Sequence, residues 1–159
     1  MRKTDVDKAY IDWMGDGVCA ITFVFNLNKI GWQKGSEAIR EFHRRVDKDR
    51  LGGRYYSKPE GDRLWFRIVP EKWETHPHFH GLIALPQKQL EELGFTAICE
   101  KYEAIWREVC PQGSLCITPL HDALGWASYA SKENSLASSL TVIDTYMQSP
   151  KQMWSPQRD

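Results

Sequence analysis

A chain of 159 residues with an apolar fraction of 42% and seven tryptophans is long enough for one domain with a substantial core. Its 21 basic and 21 acidic residues cancel, which argues against a strong, nonspecific binder of duplex DNA, since such a protein carries a clear basic excess. No stretch reaches the roughly 20 apolar residues of a membrane span, and the start of the chain lacks the apolar run of a signal peptide, so the expectation is a soluble cytoplasmic protein with no membrane partner.

Val18 to Leu27 is nearly continuous in apolar character and rich in β-formers, as expected of a central strand covered on both faces. Ser36 suits a helix N-cap, and Ala38, Ile39, Phe42 and Val46 follow at helical spacing until Gly52-Gly53 ends the pattern. From Arg40 through Lys72 cations outnumber acids, either as a local basic groove or as a solvated helix face. Arg54 to Ser57 and Arg63 to Val69 are strand-like and separated by Pro59-Glu60-Gly61-Asp62, which predicts a hairpin. The connection from Pro70 to Pro77 then returns the chain into a strand starting at His78, beside Leu64 to Val69.

Ile98, Tyr102, Ile105, Trp106 and Val109 mark the buried face of an amphipathic helix ended by Pro111 and Gly113. Leu115 to Thr118 is a short strand, and a helix follows with Asp122 near its start and Tyr129 and Lys132 sharing a face. Ser135 to Met147 is read as a last helix and 149–159 as a flexible tail, leaving 1–148 as a single domain. Cys19, Cys99, Cys110 and Cys116 lack Cys-x-x-Cys spacing and read as reduced core residues. This element order predicts an α+β fold: a central antiparallel sheet of about five strands flanked by helices.

The chemistry concentrates at His78-Phe79-His80. On a strand, alternation points both imidazoles at one face and Phe79 at the other, with roughly 6 to 7 Å of rise between the pair, so that both can hold one divalent ion. A catalytic site of this kind adds a carboxylate and keeps positions open for substrate. Glu71 is the favoured third ligand because it directly follows the preceding strand, with Glu74, His43 and Glu133 as alternatives. Tyr129 is a phenol that needs help to attack a phosphate, and Lys132 can lower its pKa or hold the phosphate.

Together, Ile21-Thr22-Phe23-Val24-Phe25, Pro77-His78-Phe79-His80-Gly81-Leu82-Ile83 and Tyr129-Ala130-Ser131-Lys132 resemble the three ordered motifs of HUH endonucleases, above all the rolling-circle replication initiators (Rep proteins) of plasmids and phages. The resemblance spans residues 18–133 and implies a ferredoxin-like sheet. It also implies Mg²⁺ or Mn²⁺ held by His78, His80 and a third ligand such as Glu71, Tyr129 as the single nucleophile, and Lys132 in the family's lysine position. The implied activity is nicking and joining of single-stranded or hairpin origin DNA through a 5′-phosphotyrosine. Arg63, Arg67 and Trp126 are the candidates for contact with that DNA. The neutral charge departs from the family. No Gly-x-x-x-x-Gly-Lys-Ser/Thr loop follows either, so unwinding would fall to a host helicase or to a larger parent protein.

Two other readings compete. His76-Pro77-His78-Phe79-His80 resembles, at that point alone, the histidine-triad nucleotide hydrolases and transferases. A non-enzymatic single-stranded nucleic-acid-binding module would instead stack bases on Trp65, Phe66, Phe79 and Tyr55.

Overall fold

The computed structural model describes residues 17–120 and 143–145. The chain forms β1 (Val18–Val24), α1 (Trp32–Leu51), β2 (Trp65–Glu71), β3 (His78–Ala84), α2 (Gln87–Leu93), α3 (Phe95–Val109), β4 (Ser114–Pro119) and a two-residue edge strand, β5 (Ile143–Asp144). The sheet order is β4-β1-β3-β2-β5 and every pairing is antiparallel. The fold is therefore the expected α+β type, with the first four strands in a split βαβ arrangement. No helix among the described residues is long and apolar enough to cross a membrane.

Alternation divides the sheet into two unlike faces. Cys19, Ile21 and Phe23 of β1, Phe66 and Ile68 of β2, Phe79 and Ile83 of β3, and Leu115 and Ile117 of β4 point to one side. There they meet Ile39, Phe42 and Val46 of α1 and Ile98, Tyr102 and Trp106 of α3, the apolar stripes expected from the spacing. Phe23 sits at the centre, its ring 5.0 Å from Phe42 and 5.1 Å from Trp106. The Tyr102 hydroxyl donates to Gln89 Oε1 at 2.6 Å, and burial pushes its pKa up, which fixes it as a core residue. Among the described residues, the opposite face carries a small apolar patch of Val18, Trp65 and Leu82, against which Ala84 and Leu120 pack. We call it the open face because the described helices lie on the other side, although Trp65, Val69, His80 and Leu82 on it are buried.

Several elements differ from the sequence expectation. β1 stops at Val24, and Asn26 turns the chain with φ 56°, its side-chain amide donating to Gln112 O at 2.9 Å. α1 begins a turn before Ser36, at Trp32, because tertiary contacts of Trp32 with Trp73 and Phe79 outweigh the capping preference of a serine. Tyr55–Ser57 and Glu60–Asp62 are 3₁₀ turns, so Arg54 to Ser57 supplies no hairpin strand. Tyr55 is buried singly under the Arg63 guanidinium, and the place beside β2 is taken by β5. Ile143–Asp144 is thus strand where a last helix was expected, and Thr145 clamps it by accepting from Phe66 N and donating to Leu64 O, each at 3.2 Å. The rest of that expected helix, the helix of Tyr129 and the tail lie outside the described residues. α2 was not foreseen. Cys116 is exposed on β4 rather than in the core, while burial pushes the Cys19 thiol up to about 11, where it is inert.

The candidate metal centre

β2 and β3 meet in a register that pairs Glu71 with His78 and Val69 with His80, as the expected meander requires. All four side chains project from the open face, since Phe79, between the histidines, is fully buried on the other side. Gly81 makes this register attainable. A Cβ there would lie 1.9 Å from Arg67 O and 2.7 Å from Ile68 Cα, so only glycine lets β3 approach β2 this closely.

The imidazole centroids of His78 and His80 are 6.0 Å apart. Glu71 Oε2 lies 2.7 Å from His78 Nε2 and 3.6 Å from His80 Nε2. The two imidazoles are only 13% and 5% exposed, which is incompatible with a solvated surface pair. Burial lowers the pKa of His80, against the pull of Glu71 and with the help of His78, so its imidazole is neutral at neutral pH, the form that binds a metal.

The orientation of His78 is informative. Its Nδ1 lies 2.9 Å from the backbone oxygen of His76, which can only accept, so Nδ1–H donates. That leaves Nε2 facing the Glu71 carboxylate. A lone pair and a carboxylate oxygen attract only when a positive charge, a proton or a metal ion, lies between them. An imidazole whose far nitrogen donates to a carbonyl while its near nitrogen faces a carboxylate has the outer-shell support found at metal-binding histidines.

As they stand, no three such side chains among the described residues form a group that could hold an ion, and Glu71 and His78 are in direct hydrogen bond. Between Glu71 and His78 the adjustment required is small. Two ligand atoms about 2.1 Å from a common ion and at right angles are about 3.0 Å apart, a few tenths beyond the Glu71–His78 separation. Two nitrogens and a carboxylate are a donor set that fits Mg²⁺ or Mn²⁺.

Of the alternative third ligands, Glu74 is exposed in the turn. His43 is on α1 behind the sheet, its Nε2 2.9 Å from Leu64 O and its ring edge-on to Phe66. Glu133 lies outside the described residues, as do Tyr129, Lys132 and Trp126. Arg67 shares the open face, diagonal to His80 through the Val69 pairing, and is half-buried. Arg63 is not brought to the site. It is buried, with Nε 3.2 Å from Asp47 Oδ2.

Asp47 also accepts from Leu64 N and Arg50, while Arg44 and Arg45 bind Glu41, whose carboxyl Arg44 above all holds down at about 2. Much of the basic stretch is thus neutralised on the helix side. Trp65, Phe66, Phe79 and Tyr55 are each no more than 3% exposed, so none offers a ring for base stacking. His76 precedes β3 in the turn and contributes its backbone carbonyl to the site, unlike a third strand histidine.

Sequence reasoning missed Trp73, which anchors the Glu71–His78 connection through Phe25, Trp32 and Phe79, and Thr22, which stands beside His80 on β1. Neither belongs to a periodic pattern, and only a bulky aromatic two residues after Glu71 signalled the first. No protein-family model, curated protein or solved structure matches this chain.

Proposed function

We propose that the protein is a metal-dependent, single-tyrosine enzyme that nicks and rejoins single-stranded DNA in the manner of the rolling-circle initiators it resembles. The observation that carries this reading is the convergence of Glu71, His78 and His80 on the open face, with His78 oriented by the His76 carbonyl. Those three residues would hold Mg²⁺ or Mn²⁺, whose chemistry when bound is to polarise the scissile phosphate and steady the charge that develops on it. Arg67, on the same face, would meet the adjoining phosphate backbone.

Tyr129 is the proposed nucleophile. Its phenolic oxygen loses its proton and bonds to phosphorus while the P–O3′ bond breaks, giving a 5′-phosphotyrosine and a 3′-hydroxyl that takes up a proton. Lys132 favours the phenolate by its positive charge. The phosphodiester bond energy is conserved in the adduct, so the 3′-hydroxyl can reverse the step and reseal the strand.

The test is incubation with random single-stranded oligonucleotides and Mn²⁺, followed by denaturing electrophoresis and sequencing of trapped DNA. A covalent adduct is expected from the wild type, absent in Tyr129→Phe and severely reduced in His78→Ala with His80→Ala. An adduct unchanged in these variants contradicts the assignment.

A further inference from the structure

The turn between Glu71 and His78 is built around a residue with no polar role. Lys72 takes φ 50°, a left-handed conformation that costs about 1 kcal/mol in a residue with a side chain, and it carries the chain from the open face to the helix side. There the Trp73 indole enters an aromatic socket, with ring centroids 5.2 Å from Phe79, 5.5 Å from Trp32 and 5.9 Å from Phe25. The floor of the socket is Gly35 of α1, where an added Cβ would lie 2.7 Å from Trp73 Cη2 and 2.9 Å from Cζ2. A glycine inside a helix costs about 1 kcal/mol relative to alanine, so α1 gives up local stability at the point where the indole seats.

The turn closes with Thr75 N and His76 N both donating to Lys72 O, at 3.1 and 2.8 Å. It thereby sets the place of the His76 carbonyl that orients the His78 ring. The carboxylate is thus two residues from the seat of Trp73, and the imidazole it meets is tied to that seat through the His76 carbonyl, three residues away.

We propose that Trp73 is a positioning residue for the candidate metal centre, holding the Lys72–His76 turn so that Glu71 and the His76 carbonyl meet His78 in ligand geometry. This rests on the metal-centre reading above. It predicts that substitutions in a partly buried aromatic socket on the helix side of the sheet weaken cation binding on the open face. Loss of an orienting neighbour of this kind typically weakens a metal by about 10- to 100-fold.

The test measures Mn²⁺ affinity by electron paramagnetic resonance, with thermal melting in parallel, for the wild type, Trp73→Leu, Trp73→Phe, Gly35→Ala and Phe42→Leu. Phe42 is a core residue remote from the turn in its packing, against Phe23, Phe66, Tyr102 and Trp106, and serves as the control for general destabilisation. A drop of about tenfold or more is expected in Trp73→Leu, with most affinity recovered in Trp73→Phe and wild-type affinity in Phe42→Leu. Gly35→Ala should lose affinity although alanine favours the helix, and it gives the answer if Trp73→Leu does not fold. Wild-type affinity in Trp73→Leu or in a folded Gly35→Ala, or equal losses in Trp73→Leu and Phe42→Leu, overturns the role of Trp73 alone. A wild type that binds no Mn²⁺ overturns the metal centre and this role with it.

Discussion

The two faces of the sheet are made from the same strands, residue by residue in alternation, yet they do different work. Behind the sheet, Phe23, Phe42, Phe66, Tyr102 and Trp106 form an aromatic core against two helices, and even its charged residues are spent internally, with Asp47 binding Arg50, Arg63 and Leu64 N. On the open face the neighbouring residues are Glu71, His78, His80, Thr22 and Arg67, supported from behind rather than covered by the helix layer. Most of the core belongs to the first face and the proposed chemistry to the second. The His-x-His spacing couples them, because the residue between the two histidines, Phe79, is itself a core residue.

Substitutions can separate the faces. The largest loss of stability is expected for Asp47→Ala, which strands the Arg63 guanidinium and the Leu64 amide in the interior. Breaking such a buried pair costs about 3–5 kcal/mol, a large part of a domain's stability, and chemical denaturation will show it. Mn²⁺ affinity of the fraction still folded should be unchanged.

Gly81→Ala is next. It forces backbone atoms of β2 and β3 apart, and a cost of at least about 1–3 kcal/mol is expected. Because the displaced strands carry the ligands, this variant should lose Mn²⁺ binding as well as melting temperature, which makes it the exception that joins the two faces.

Acid should act on the helix side through His43. Burial holds its pKa below the ordinary 6.5, against the attraction of Asp47 and the Leu64 carbonyl, with Arg63 and Arg50 adding to the depression. The unfolded chain therefore takes up a proton that the folded protein resists. Stability is unaffected by this group above the unfolded value and falls as pH drops through it, by at most about 1.4 kcal/mol per pH unit. Urea denaturation between neutral pH and mild acid should show that slope, and His43→Gln should flatten it.

The smallest effect on stability is expected for His78→Ala with His80→Ala. No residue of the aromatic core is lost, but His80 is buried and Glu71 loses both imidazoles, so a loss of about 1–2 kcal/mol is expected, although Mn²⁺ binding disappears. Equal losses of stability from both faces would contradict the division.

What was legible in the sequence follows the same division. The spacing of Ile39, Phe42 and Val46, and of Ile98, Tyr102 and Trp106, placed both large helices, because a stripe of apolar residues at helical period has one way to be buried. The His78–Phe79–His80 alternation gave the direction of both imidazoles, and Glu71 was the favoured third member because a short antiparallel connection brings the end of one strand beside the start of the next. Arg54 to Ser57 was misread because two tyrosines have strand propensity, while Tyr55 is held by Arg63 and Arg44, contacts that a local pattern does not show. β5 was illegible for a related reason. Two residues carry no periodicity, and Ile143 is held by Phe66 and Leu64 through Thr145 rather than by any signal of its own. The anchoring of the site by Trp73 depended on a glycine thirty-eight positions earlier, a pairing that only the folded chain reveals.

The central claim, that the open face is a metal centre, is tested most directly by electron spin-echo measurement of nitrogen coupling to bound Mn²⁺. The account predicts coupling from two imidazole nitrogens in the wild type, from one in His80→Ala, and a weaker-binding ion in Glu71→Gln. Mn²⁺ that binds without imidazole coupling, or keeps both couplings when His78 and His80 are replaced, would contradict it.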